Sequence, residues 1–288
     1  MNHRSPTIAP VKHVVLVARE GERPGAATRK LAADLEALGV TADLLSESST
    51  LLGQSKNVDL YIALGGDGTV LRALRAANGE APVVGINFGN LGFLTYGGPE
   101  MLDAMIGDAC AGKLRCKPRI RLLVGVTRGG KILPEATALA YNDAVIKVGA
   151  NPRLLDLRCE VDGRRLANYK ADGLIFATPL GSTAYNLAAG GPILDPDTEA
   201  YAITALNPHS VTHRPVVMSA RTRASVTLMG PPNTDANLMV DGEAHVVPLQ
   251  VGDRVGIFVD SEVSCVVPPE GSVFDILRAK MGWDGGGE

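Results

Sequence analysis

Between Val14 and Ala109 short apolar runs alternate with stretches of helical periodicity, and after Lys117-Pro118 that alternation stops. This change of rhythm limits the fold more than any other feature of the chain. Val14–Val17, Val58–Leu64 and Val83–Asn87 read as buried strands. Between and after them lie three helical patterns: Ala27, Leu31, Leu35 and Leu38 from Pro24 to a stop at Gly39; Val70, Leu71, Leu74 and Ala77 up to Asn78-Gly79; and Leu102, Met105, Ile106 and Ala109 behind Pro99. Strands alternating with helices predict an α/β domain with a parallel sheet. Beyond residue 118 the chain turns β-rich, and Gly129-Gly130, Asp162-Gly163 and Asp241-Gly242 are hairpin signals that predict a second, antiparallel domain. After Pro268-Pro269 a last helix is expected, capped by Ser272, with Asp275 three residues on and Phe274, Leu277 and Met281 on one side. One short helix cannot form its own core, so it should return to the first domain. The expected domains are therefore 1–118 with 268–288, and 119–267.

Composition enters as a set of exclusions. Hydrophobic residues make up 45% of the 288, enough for a core in each of two domains, so disorder and collagen-like repetition are out. Lys and Arg number 28 against 31 Asp and Glu, a net charge of −3 that gives no overall footprint for nucleic acid, and 4% aromatics weaken any base-stacking reading. Cys110, Cys116, Cys159 and Cys265 show no metal-type spacing and read as idle thiols in a reducing compartment. The N-terminal stretch lacks the apolar core of a secretory signal, and no run is long enough to cross a membrane as a helix. A cytoplasmic protein is expected.

Two segments carry chemistry. Tyr61 to Ala73, YIALGGDGTVLRA, is a buried strand, a glycine turn holding one carboxylate, and a helix. Glycines there let backbone N–H groups approach a phosphate at a helix N-terminus, where the dipole also favours an anion. Asp67 in such a turn would orient a hydroxyl, accept its proton or touch a nucleotide-borne Mg²⁺; the tetrapeptide alone reads better as a plain tight turn, and its place between strand and helix brings the two readings level. No GxxxxGK[ST] is present and the third Gly of GxGxxG is missing, which disfavours Walker-type ATPases and ordinary dinucleotide dehydrogenases. The second segment, Ala171 to Leu194, runs from a buried strand through a turn at Pro179–Ser182 into a short helix capped by Ser182 and ended by Gly190-Gly191. Hydroxyls and amides meeting at that helix start suit a phosphate or ribose group.

Together the two segments resemble the NAD kinase family. The resemblance rests on GGDGT at Gly65 to Thr69, NFGNLGFL at Asn87 to Leu94, Asn142-Asp143 within LAYNDAVI, the DGL…TPLGSTAY…GGP block from Asp172 to Pro192, PHSVTHRPVV at Pro208 to Val217 and VDGE at Val240 to Glu243. It implies transfer of phosphate from ATP, or in some members polyphosphate, to the 2′-hydroxyl of the adenosine ribose of NAD, with Mg²⁺ or another divalent cation brought in by ATP. On that pattern Asp67 is the general base with Gly68 beside it, and Gly65, Gly66 and Thr69 hold phosphate. Asn142 and Asp143 would hold ribose hydroxyls or the adenine side, Thr183, Ala184 and Tyr185 would line the dinucleotide pocket with Asn186, Leu187 and Ala188 continuing it, and Asp172 would face the nicotinamide end. Arg72, Arg153 and Lys170 match positions of cations or polar groups near phosphates, although each is also an ordinary solvated charge. A charge at Lys170 goes, in the family, with preference for NAD over NADH; Coulomb's law alone would have it disfavour the cationic nicotinamide ring. The family commonly assembles as homodimers or homotetramers through the second domain.

The chain departs from the pattern at Tyr96, Asn186 and His213, none of which removes a proposed catalytic atom. His209 and His213 are four apart, but Pro208 and Pro215 argue against a helix that would pair them on a metal. Two rivals stand beside the kinase reading: a lipid or small-molecule kinase sharing the glycine turn, and a dinucleotide sensor without activity. Near-neutral charge and the GSTAY block oppose the first, and an intact carboxylate in the glycine turn opposes the second.

Overall fold

The computed structural model describes residues 6–18, 22–45, 57–89, 92–150, 153–242, 245–267 and 273–283. The chain divides into two compact units, one of residues 1–119 and 262–288 and one of residues 120–261.

In the first unit β1 (His13–Ala18) leads into α1 (Glu22–Ala37) and β2 (Thr41–Leu45), and β3 (Leu60–Leu64) into α2 (Asp67–Ala77) and β4 (Val83–Ile86). A 3-10 turn at Pro99–Met101 opens α3 (Leu102–Cys110). The four strands are parallel in the order β2-β1-β3-β4, with Val14 beside Leu60 and Tyr61 beside Val83. Leu60 to Leu64 are buried without interruption because helices cover both faces of a sheet of this kind. Leu31 and Leu35 of α1 and Met105 and Ala109 of α3 pack in one core with Leu16, Ile62 and Val84. α2 ends as its sequence requires, with Asn78 at φ 47° and Gly79 at φ 84°. α1 departs from its expected face. Leu38 is exposed because the helix has ended at Ala37 and the chain reverses at Gly39 (φ 76°), so Thr28 and Val40 take the inward positions.

Residues 262–288 belong to this first unit. Their helix, Val273–Met281, buries Leu277 and sets Lys280 Nζ 4.7 Å from the centre of the Phe93 ring. Phe274, expected on the buried side, shares the face of Leu277 by spacing but lies at the very start of the helix and is exposed. The Ser272 cap falls outside the described residues.

The second unit is antiparallel. β5 (Cys116–Arg128) and β6 (Lys131–Ala140) form a hairpin, followed by β7 (Asp143–Val148), β8 (Leu155–Val161), β9 (Arg164–Ala171) and β10 (Gly173–Ala177). A 3-10 turn at Leu180–Thr183 and the one-turn α4 (Tyr185–Ala188) precede β11 (Ala200–Leu206), β12 (Val216–Ser219), β13 (Arg223–Gly230), β14 (Ala236–Val240), β15 (His245–Leu249) and β16 (Arg254–Val266). One sheet has the order β12-β11-β10-β7-β14-β15, and β13 of the other is flanked by β8 and β16. Their inner faces share one core that includes Leu122, Leu157, Ile146, Phe176, Tyr201 and Val226. The turns Gly129-Gly130 and Asp162-Gly163 each place both residues at positive φ, the geometry that matches strand twist in a two-residue hairpin, and Asp241-Gly242, also both at positive φ, opens the longer connection between Val240 and His245.

Cys116 and Cys159 are buried and Cys110 and Cys265 half-buried, all as free thiols. Burial pushes Cys116 up to about 11 and Cys159 up to about 12, so these two stay protonated and unreactive at neutral pH.

Candidate active site

In the first unit the glycine turn sits where β3 stops and α2 starts. Gly65 still belongs to the sheet, its N–H donating to Ile86 O at 2.9 Å, and a Cβ there would overlap the Thr69 side chain. Thr69, buried, therefore closes over Gly65 and packs the turn. Gly66 is the extended N-cap of α2 and makes no side-chain cap; Gly68 is exposed with open space where a Cβ would be. The first N–H groups of a helix have no partner inside it, so Gly66, Asp67 and Gly68 present amides suited to an anion. Asp67 is half-buried and its carboxylate is held from a second segment: Phe93 N donates to Oδ2 at 3.0 Å and Leu94 N to Oδ1 at 2.9 Å. An ionised carboxylate has about four acceptor positions, so two anchors leave room for a substrate hydroxyl. Arg72, on the same helix, donates to Ala18 O at 3.2 Å and Leu45 O at 3.0 Å. Its guanidinium ties together the ends of β1 and β2 rather than standing open to a phosphate.

In the second unit Asp143 starts β7 with Asn142 just ahead of it, and a residue missed by sequence reasoning organises them. The Asp241 carboxylate accepts from the backbone N–H of Tyr141 (3.1 Å), Asn142 (2.7 Å) and Asp143 (3.2 Å). Only the VDGE turn hinted at it. Asp143 is 4% exposed, and burial, followed by the charge of Asp241, pushes its carboxyl up to about 7. Asn142 Oδ1 is buried without a hydrogen-bond partner. An unmatched buried acceptor is a costly arrangement that a ligand's hydroxyl or amide would relieve.

The GSTAY segment is locked to this pair. Thr178 N donates to Asn142 O (2.8 Å), Thr178 Oγ1 donates to Tyr141 O (2.6 Å) and accepts from Gly181 N (3.1 Å). Gly181 carries no Cβ because one would overlap the Asn142 carbonyl. Ser182 is not the cap its sequence position suggested. The helical start comes earlier, at Leu180, and the Ser182 hydroxyl, fully buried, donates to Pro179 O and accepts from Leu194 N. The Asn186 side chain packs within its own unit. Its side chain is fully buried and spent: Nδ2 donates to Ser182 O (3.1 Å) and Pro192 O (2.9 Å), while Oδ1 accepts from Thr204 Oγ1 (2.7 Å). Gly191 makes space for it, since a Cβ there would overlap the Asn186 amide. Tyr185 and Ala188 are exposed, and Thr183, Ala184 and Leu187 half-buried.

Lys170, on β9, and Arg153, ahead of β8, are exposed. Asp172 accepts from Asn207 Nδ2 at 2.9 Å. His209 N donates to Lys170 O (2.8 Å), and the His213 ring lies 4.6 Å from the Tyr169 ring, so the two histidines serve different contacts.

The chain superposes on the yeast NADH kinase complexed with NADH with a TM-score of 0.82 at 24% identity, covering 97% of this chain and 90% of that one. Against an NAD kinase from Archaeoglobus fulgidus in complex with ATP the TM-score is 0.76 at 24% identity, covering 95% and 100%. Residues 23–113 match the ATP-NAD kinase N-terminal domain and residues 141–267 the ATP-NAD kinase C-terminal domain. The NAD kinase of Trichlorobacter lovleyi is 39% identical over 227 residues, 78% of this chain and 79% of that protein, and that of Citrifermentans bemidjiense is 36% identical over 241 residues, 83% of each. The chain belongs to the NAD kinase family.

Proposed function

We propose that this protein transfers the γ-phosphoryl group of ATP to the 2′-hydroxyl of the adenosine ribose of NAD, giving NADP and ADP. The observation that carries the reading is the Asp67 carboxylate, fixed by two amides at the N-terminus of α2 with acceptor positions to spare. Membership of the NAD kinase family supports the choice of substrates.

Asp67 takes the proton of the ribose hydroxyl as its oxygen bonds to the γ-phosphorus; the bond from phosphorus to the bridging oxygen breaks and ADP leaves. A loose phosphoryl transition state asks the protein for alignment and charge neutralisation more than for covalent chemistry. The amides of Gly66 to Gly68 receive phosphate oxygens. Asn142 Oδ1 accepts from a ribose hydroxyl, and Asp143 hydrogen-bonds the neighbouring one, as donor when protonated and as acceptor when ionised. Thr183, Ala184, Tyr185, Leu187 and Ala188 border the dinucleotide, Asp172 addresses the nicotinamide end, and Arg153 and Lys170 offer exposed cations to phosphates. A divalent cation, Mg²⁺ in this proposal, enters on the triphosphate as part of the substrate.

The reading extends to a cytoplasmic homodimer or homotetramer assembled through the second unit, where Ile132, Val211, Val217 and Val246 are exposed. Among the described residues no helix is long and apolar enough to cross a membrane. Incubating the pure protein with MgATP and either NAD or NADH, and following NADP with a dehydrogenase, tests the activity. NADP formation is expected, and its absence with both ATP and polyphosphate would overturn the proposal. Light scattering on the eluting protein tests the assembly, a monomer at micromolar concentration counting against it.

A further inference from the structure

We infer that Gly92 is a positioning residue for Asp67: it keeps open the space in which the turn 92–95 presents two amides to the carboxylate. The inference rests on the reading of Asp67 as the base and adds what holds that base in place. Gly92 is not among the residues with left-handed φ, so glycine is not required there by backbone conformation. It is required by space. A Cβ built on Gly92 would overlap Asp67 Oδ1, with Asp67 Cγ at 3.0 Å and Thr95 Cγ2 at 3.1 Å leaving no direction in which to turn.

The turn is itself anchored. Gly92 N donates to Thr95 Oγ1 at 3.2 Å, Tyr96 N to Gly85 O at 2.7 Å, and Asn87 N to Gly97 O at 2.9 Å. The last two bonds tie the segment to β4, which pairs with the β3 strand that delivers the glycine turn. Phe93 N and Leu94 N thus reach Asp67 from a frame that shares the sheet with Asp67 itself. Each amide engages a different oxygen, which fixes the plane of the carboxylate as well as its position. A base held in this way meets the hydroxyl in one orientation, and small misplacements of reacting groups cost turnover steeply.

The test compares Gly92→Ala, Asp67→Asn, the double variant, Thr95→Val and Thr95→Ser in steady-state assays with NAD and MgATP. Gly92→Ala should lower kcat by roughly ten- to a hundredfold while KM for NAD and ATP stays within about twofold, because only the base is displaced. The double variant should turn over no more slowly than Asp67→Asn, since two changes acting through one carboxylate do not add. If Gly92→Ala fails to fold, the Thr95 pair decides: Thr95→Val, nearly isosteric, should lower kcat several-fold at unchanged KM, and Thr95→Ser should restore it. Wild-type kcat in Gly92→Ala, additive losses in the double variant, or a Thr95→Val defect that Ser does not rescue would overturn the inference. An active wild type with an unimpaired Gly92→Ala overturns this inference alone, whereas an inactive wild type overturns the proposed activity as well.

Discussion

Asp143 shows how one residue sets stability against binding. Its carboxyl titrates near 3.8 when solvated and is pushed up to about 7 in the fold, chiefly by burial and then by Asp241. Between those two values the unfolded chain releases a proton that the native chain keeps, so stability falls as pH rises from about 4 to about 7 and is level above. The contribution is complete below the unfolded value and gone above the folded one. At about 1.4 kcal/mol per unit the shift bounds the loss at on the order of 4 kcal/mol, and local relaxation reduces it. Asp143→Asn cannot ionise and escapes the loss. It should melt a few degrees above the wild type at pH 8, the difference closing towards pH 4, while its affinity for NAD drops. Calorimetric scans across that range check the sign, and a variant melting at or below the wild type at pH 8 contradicts the assignment.

At the scale of elements, hairpin turns do more than reverse strands. Asp241 is at φ 47° in the β14–β15 turn, where its short side chain tolerates the left-handed region, and the same side chain gathers the amides of Tyr141, Asn142 and Asp143. Asp241→Ala leaves those amides without their acceptor and should cost about 2–4 kcal/mol. Thermal melting should fall by several degrees, and KM for NAD should rise more than kcat falls, because the damaged element is the one that bears Asn142 and Asp143. An unchanged KM would detach the turn from the site. The turn itself was legible in its Asp-Gly dipeptide, as were the buried strands of the first unit, whose apolar runs need no distant partner to interpret. Its second duty was not, because the amides it holds lie 98 to 100 residues earlier in the chain. Ser182 was misread for a related reason: a polar residue near a helix start looks like a cap until Leu194 is seen to occupy it. Leu38 and Phe274 were misread more simply, since helical spacing marks a face but not where the helix begins or ends to use it.

For the molecule as a whole, the account divides binding from chemistry. On the proposed reading NAD affinity rests on Asn142, Asp143 and the turn beside them, and proton removal on Asp67. A ligand that binds the native state alone raises the melting temperature by mass action, whatever follows chemically. Saturating NAD should therefore stabilise wild type and Asp67→Asn by the same few degrees, because the substitution leaves Asn142, Asp143 and their turn unaltered. The rates should separate. Asn matches Asp in shape but lacks the charge that accepts a proton, and it can satisfy only one of the two clamping amides through oxygen. The decisive measurement is the rate of NADP formation by Asp67→Asn at saturating NAD and MgATP, on protein whose NAD-induced shift in melting temperature matches that of the wild type. The account predicts a fall in kcat of at least about a hundredfold. A variant that binds NAD normally and turns it over at the wild-type rate would contradict the assignment of Asp67 as the base.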